Sequence, residues 1–276
     1  MMAMKSCGIS QRECNSMSSN LRDRLIIATM CSNWREVAEK YGLGVEGDYF
    51  CQAVNMDGEK GIRAKADLAE MRMQYDVRIM HAPFNELYPA AIDPRARTLA
   101  MDRLNQAAEI AIEHGIKKMV VHSGYVPFVY FKEWHRDRSV EFWKEFMADK
   151  PGDFEICIEN VLDDEPHMLT EIVKLIDDER VGICFDIGHA NIVGKEDGGV
   201  DLGQWLEEMA PYLKHLHIHN NDGNGDFHDE LMNGTVDVDE ILRGVAEKCS
   251  PETTVTLEVL NCENTLDWLI DRGYYK

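Results

Sequence analysis

No stretch of this chain approaches the roughly 18–20 consecutive apolar residues that a membrane helix requires, so no membrane partner is expected. Basic residues are scarce as well: 29 Lys and Arg stand against 50 Asp and Glu, a formal charge of −21. Duplex DNA is a polyanion whose binders draw affinity from Lys and Arg that neutralise phosphates. So acidic a chain is a poor match to duplex DNA, and a small-molecule partner is expected instead. The eight cysteines, at 7, 14, 31, 51, 157, 184, 249 and 262, include no CxxC pair. That removes the common thiol motifs for zinc and redox work and leaves the expectation of reduced thiols in a cytoplasmic protein. Residues 1–24 are polar, rich in Ser, Asn and Met, and lack the apolar segment of about 7–15 residues that a secretory signal needs. They read as a loosely ordered leader before a single folded unit over 25–276.

What the chain does have is a repeated pattern. Six short apolar runs end on a chemically active side chain: on His81, His122, Glu159, Asp186, His219 and Glu258. Short continuous apolar runs are the mark of fully buried parallel strands, and each is followed by a helical pattern. Strands are predicted over 25–29, 45–50, 77–81, 118–122, 155–159, 181–186, 215–219 and 254–257. Helices are predicted over 33–41, 60–74, 94–114, 133–147, 168–176, 202–209, 238–248 and 266–272. Gly115 marks the end of the third helix. Eight alternating pairs in 276 residues give an α/β fold, a single (β/α)8 barrel, since such barrels run to about 250 residues. Reacting groups in these barrels gather where the strands end, because the following loops converge there. The longest such loops, 123–132, 188–200 and 220–237, should shape the pocket.

Histidine nitrogens and carboxylate oxygens delivered to one rim are a metal-ligand set. Without cations, so many carboxylates at one place would repel one another and resist burial. Asp226 and His228, two residues apart in the last long loop, join the set. His215, His217 and His219 share parity and face one side of their strand; His215 lies deepest and His219 at the loop margin. The donors suit Zn, Mn or Fe, so the expected cofactor is one to three divalent ions, Zn or Mn foremost. Tyr125, Phe128, Tyr130, Phe131 and Trp134 after the fourth strand can either stack on a substrate or pack the fourth helix.

The segments His81-Ala82-Pro83, Val121-His122-Ser123-Gly124, Ile158-Glu159-Asn160, Asp186-Ile187-Gly188-His189, His217-Ile218-His219-Asn220, Asp226-Phe227-His228 and Leu257-Glu258, taken together and in order, resemble the xylose isomerase-like TIM barrel superfamily. That superfamily holds both endonuclease IV-type enzymes (AP endonuclease family 2) and sugar or sugar-phosphate isomerases and epimerases. The resemblance implies that Glu159, Asp186, His217 and Glu258 hold one metal, with Glu159 and Glu258 as catalytic proton carriers in the isomerase branch. From the endonuclease branch it implies further metals at His81 and His122, bridged by Glu159, and at His189, Asp226 and His228. All nine positions are filled, which makes phosphoester hydrolysis of a small metabolite at a di- or trinuclear centre the first expectation. Isomerisation or epimerisation of a sugar or sugar phosphate with one metal is the alternative. Abasic-site cleavage of DNA is set back by the acidic charge. Lys132, His219 and Asn220 are the expected substrate contacts. Two positions depart from the family pattern: Phe84 stands where a tyrosine is usual, and Asn220 where an aspartate is.

Overall fold

The computed structural model describes residues 20–194 and 200–276. Eight parallel strands close into a barrel in sequence order: β1 (Leu25–Ala28), β2 (Gly44–Gly47), β3 (Val77–His81), β4 (Lys118–His122), β5 (Glu155–Glu159), β6 (Val181–Asp186), β7 (Leu213–Ile218) and β8 (Thr254–Leu257), with β8 pairing back onto β1. Nine α-helices are described: α1 (Trp34–Tyr41), α2 (Gly58–Gln74), α3 (Pro94–Glu113), α4 (Lys132–Met147), α5 (His167–Ile176), α6 (Ile187–Val193), α7 (Leu202–Met209), α8 (Val238–Lys248) and α9 (Glu263–Asp271). The (β/α)8 fold read from the sequence is the fold observed. The predicted leader lies outside the described residues over 1–19. Leu21 is buried, and its amide donates to the Tyr274 carbonyl, so 20–24 run against the C-terminal segment.

Strand alternation divides the apolar residues between two environments. Leu25, Ile27, Met80, Met119, Val121, Ile156, Ile158, Ile183 and Phe185 join the large core beneath the helices, whereas Ile26, Ile79, Val120, Cys157 and Cys184 form a separate small cluster inside the barrel. A fully buried Ile contributes about 1.5–3 kcal/mol, so both shells hold the strands that carry the site. Glu46, His215 and Thr256 are also fully buried inside.

Local chemistry accounts for the boundaries. Pro94 opens α3 behind Asp93, whose carboxylate accepts from the Arg95 amide at 2.8 Å, and Gly115 follows the helix at φ 69°. The second strand stops at Gly47, short of the predicted residue 50. There the chain turns, with the Cys51 amide donating to the Asp48 carbonyl at 3.0 Å and Asp48 paired with Thr29. The segment 188–193, predicted as loop, is helical. Asp186 caps α6 by accepting from the His189 amide at 2.7 Å, so the Asp-Ile-Gly-His motif is a helix start.

Candidate metal centre

The strand ends deliver the predicted groups to one place. His81, His122, Glu159 and Asp186 are the last residues of β3, β4, β5 and β6; His217 is next to last in β7; Glu258 follows β8. Register pairs His122 with Glu159 and Asp186 with His217 across neighbouring strands. Glu159 stands at the middle of the cluster: its Oε2 lies 3.2 Å from His81 Nε2 and 3.3 Å from His122 Nε2, and its Oε1 lies 3.0 Å from His217 Nδ1. His217 Nδ1 also lies 3.4 Å from Glu258 Oε2 and 3.8 Å from Asp186 Oδ2.

The loop after β7 supplies the other side. Asp226 Oδ2 lies 3.4 Å from His189 Nε2 and 3.2 Å from His228 Nε2. The loop is fixed by Asn220, whose backbone pairs with Asp229 in an isolated antiparallel bridge. Its side-chain amide donates to the carbonyls of Leu231 (2.8 Å) and Val236 (3.2 Å), while its Oδ1 accepts from the amides of Asn221 and Val236. An aspartate has no N–H to offer those two carbonyls, which accounts for asparagine here. His228 sits at φ 49° with Nδ1 2.7 Å from the Glu258 carbonyl.

The donor atoms form overlapping groups, each within 4.8 Å: Glu159, Asp186, His217 and Glu258; His81, His122 and Glu159; Asp186, His189 and His219; and His219, Asp226 and His228. All nine ligands expected from the sequence are therefore brought together. Of the three expected substrate contacts, His219 lies within two of these groups, whereas Lys132 and Asn220 are engaged elsewhere. Asn220 is occupied within its loop, and Lys132 Nζ is paired with Asp164 (2.6 Å) and Glu165 (2.8 Å). His219, buried over Gly188, points Nε2 at Asp186 Oδ1 from 3.2 Å and stacks on His228. A methyl group on Gly188 would overlap the His219 ring, so the glycine makes room for it.

The aromatic residues after β4 divide. Tyr125, Tyr130 and Trp134 pack among themselves and His135, whereas Phe128 and Phe131 are exposed. Phe84, in place of the usual tyrosine, stacks on His122 with centroids 4.2 Å apart.

The electrostatics fit a cation. Glu46, Glu159, Asp186 and Glu258 are all buried, and the ion pairs described for them are with histidines. Asp186 Oδ2 is buried without a hydrogen-bond partner, a costly orphan that a cation would satisfy. Burial works against the charge of Glu159, yet His217 and His122 hold its carboxyl well below the usual range. Burial, reinforced by Glu159 and Asp186, raises that of Glu258. Burial alone would lower His81, but the hydrogen bond and charge of Glu159 lift it to about 9. His228 reaches about 9 in the same way, through Asp226 and Glu258.

Sequence reasoning passed over Glu46. From β2 its Oε1 lies 3.2 Å from His217 Nε2, and its Oε2 lies 3.1 Å from His215 Nε2 and 2.6 Å from Thr256 Oγ1. The available signal was a lone carboxylate inside the short run Gly44-Val45-Glu46-Gly47.

Comparison with known proteins agrees with this architecture. The protein MJ1311 of Methanocaldococcus jannaschii, itself uncharacterized, is 33% identical over 208 residues, 71% of this chain and 69% of that protein. Among solved structures, a D-tagatose 3-epimerase-like protein is 26% identical with a TM-score of 0.71, covering 91% of this chain and 96% of its own. The TTHB071 protein of Thermus thermophilus, soaked with ZnCl2, has the same fold at 23% identity and a TM-score of 0.69, covering 90% of this chain and 97% of its own. The family model described as xylose isomerase-like TIM barrel matches residues 30–271, and the chain belongs to that family.

Proposed function

We propose that the protein is a divalent-metal-dependent isomerase or epimerase of a small sugar or related polyhydroxylated metabolite. The observation that carries this is the convergence of Glu159, Asp186, His217 and Glu258 within 4.8 Å at the barrel mouth, two glutamates flanking one histidine nitrogen. The similarity to a D-tagatose 3-epimerase-like protein supports the substrate class. Zn or Mn suits these donors, as does Fe, and a bound cation supplies a Lewis acid for the oxygens of an adjacent carbonyl and hydroxyl.

The rest of the work falls to the side chains. Glu159, held ionised by His217 and His122, takes the proton from the carbon beside the carbonyl. Glu258, on the other side of the same His217 nitrogen, gives one back. Return to the same carbon from the opposite face inverts it; return to the former carbonyl carbon, with the hydroxyl proton passing to the former carbonyl oxygen, completes an isomerisation.

A second reading, hydrolysis of a phosphoester at a di- or trinuclear centre, is favoured by one observation: His81, His122, His189, Asp226 and His228 also fall into ligand groups. Two measurements separate the readings. Metal per chain is determined by elemental mass spectrometry for the wild type and for His189→Ala and His228→Ala. In parallel, metal-loaded protein is incubated with ketoses in D2O and with a phosphoester panel. One equivalent, unchanged in the variants, with deuterium entering beside a sugar carbonyl supports the isomerase. Two or three equivalents falling in the variants, with phosphate release and no exchange, replaces it with the hydrolase.

A further inference from the structure

We propose that Glu46 is a positioning residue for the metal centre: from inside β2 it holds His217 by Nε2, so that Nδ1 is the nitrogen presented to the cation. The proposal rests on the metal-dependent reading above and adds a residue outside the ligand set.

Both nitrogens of His217 face carboxylates. Nδ1 looks toward Glu159, Glu258 and Asp186, and Nε2 toward Glu46 Oε1 at 3.2 Å. A ligating imidazole is neutral, with one N–H and one lone pair, and which nitrogen keeps the proton is set by the partner of the other. Glu46 is fully buried and is absent from every metal-ligand group among the described residues. An ionised carboxylate only accepts, so facing it Nε2 must donate, and the Nδ1 lone pair is left for the cation. This is the carboxylate–histidine–metal relay that orients a ligand and raises its basicity.

Glu46 is itself held in place. Thr256 Oγ1 donates to Oε2 at 2.6 Å and His215 Nε2 approaches the same oxygen at 3.1 Å, while His215 Nδ1 is 2.7 Å from Thr254 Oγ1. Three donors converge on one buried carboxylate, which compensates its desolvation and leaves it little freedom to turn. The chain Thr254–His215–Glu46–His217 therefore transmits the rigidity of β7 and β8 to a single ligand nitrogen.

The test is zinc alone, titrated into the full chain at pH 8 in competition with a chromophoric chelator, for wild type, Glu46→Gln and Asp163→Asn. Asp163 is a second fully buried carboxylate, bonded to Ser123 Oγ at 2.6 Å and outside the ligand groups, and controls for loss of buried charge. Glu46→Gln is expected to weaken zinc binding about 10–100-fold and Asp163→Asn to leave it within a factor of three. In 15N-histidine-labelled wild type, the zinc-loaded His217 is expected to show a metal-bound Nδ1 and a protonated Nε2, a result that requires no variant to fold. Unchanged affinity in Glu46→Gln, or metal on Nε2, overturns the role of Glu46 while the metal centre stands. No zinc binding by the wild type overturns the metal-dependent reading as well.

Discussion

The two ends of the barrel solve the same electrostatic problem differently. At the N-terminal end, Glu155 meets Lys214 Nζ at 2.7 Å and Lys118 Nζ at 3.9 Å, and Lys118 also reaches the Lys214 carbonyl and Thr254 Oγ1. These three charges are countered within the chain. At the C-terminal end, Glu159, Asp186 and Glu258 are more deeply buried and are paired with histidines, neutral unless protonated. The lower end is complete as folded; the upper end is completed by protons or by metal. A barrel can draw its stability from one end and keep the other poised for a ligand.

The largest effect expected from breaking the upper end comes from Glu159→Gln. It removes the charge shared by His81, His122 and His217, and with it both a proposed ligand and the proposed base. Turnover on the substrate found by the deuterium assay should drop by about 10²–10⁴-fold, with bound metal reduced in the same preparation. Full metal content and undiminished turnover would remove Glu159 from the mechanism.

A pH series sharpens the contrast. In the metal-free protein His81 and His228 titrate at about 9, above the roughly 6.5 of an unfolded histidine. Their contribution to stability is therefore complete below about pH 6.5 and is lost as the pH rises through 9. Metal binding has the opposite sign, because ligands must shed protons first. The melting-temperature gap between metal-loaded and chelated protein should widen from pH 6.5 to 9. Where the free metal stands at 100 times its Kd, binding stabilises the folded chain by about 2.7 kcal/mol. A gap that is flat across that range would show that these histidines do not exchange protons for metal.

A smaller effect is expected from Asn220→Asp, which restores the residue usual in the family. It would set a carboxylate against the carbonyls of Leu231 and Val236, now satisfied by the Asn220 amide. The cost is about 1–3 kcal/mol, read in a denaturant melt, together with weaker holding of Asp226 and His228. A melt identical to wild type would mean that the loop is held by its backbone bridge alone.

Most of this site was legible because its parts are local. An apolar run ending on His81, His122, Glu159 or Asp186 states both that a strand is buried and where it ends, and the closed barrel then forces the ends together. Glu46 was not legible because its partners His215, His217 and Thr256 lie 169, 171 and 210 residues away. A lone glutamate in a four-residue strand carries no sign of them. Asp186 was legible as a member of the cluster but not as a helix cap. Its hydrogen bond to the His189 amide turns an apparent loop into α6, which sets the direction of His189.

The smallest effect is expected at the lower end. Lys118→Met keeps the length of the side chain and removes Nζ, leaving Glu155 still paired with Lys214. Because the lost contacts at Lys118 are long (3.3, 3.4 and 3.9 Å) and Lys214 remains, stability should fall by no more than about 1 kcal/mol. Zinc affinity should not change: Lys118 and His122 open and close the same strand, separated by about 13 Å at 3.3 Å per residue. Parallel denaturant melts and zinc titrations of this variant test the separation directly. A shift in zinc affinity beyond threefold would mean that charge at the base of the barrel is felt at its mouth. The interior layer of Ile26, Ile79, Val120, Cys157 and Cys184, which lies between the two ends, would then be a coupling element and not an insulating one.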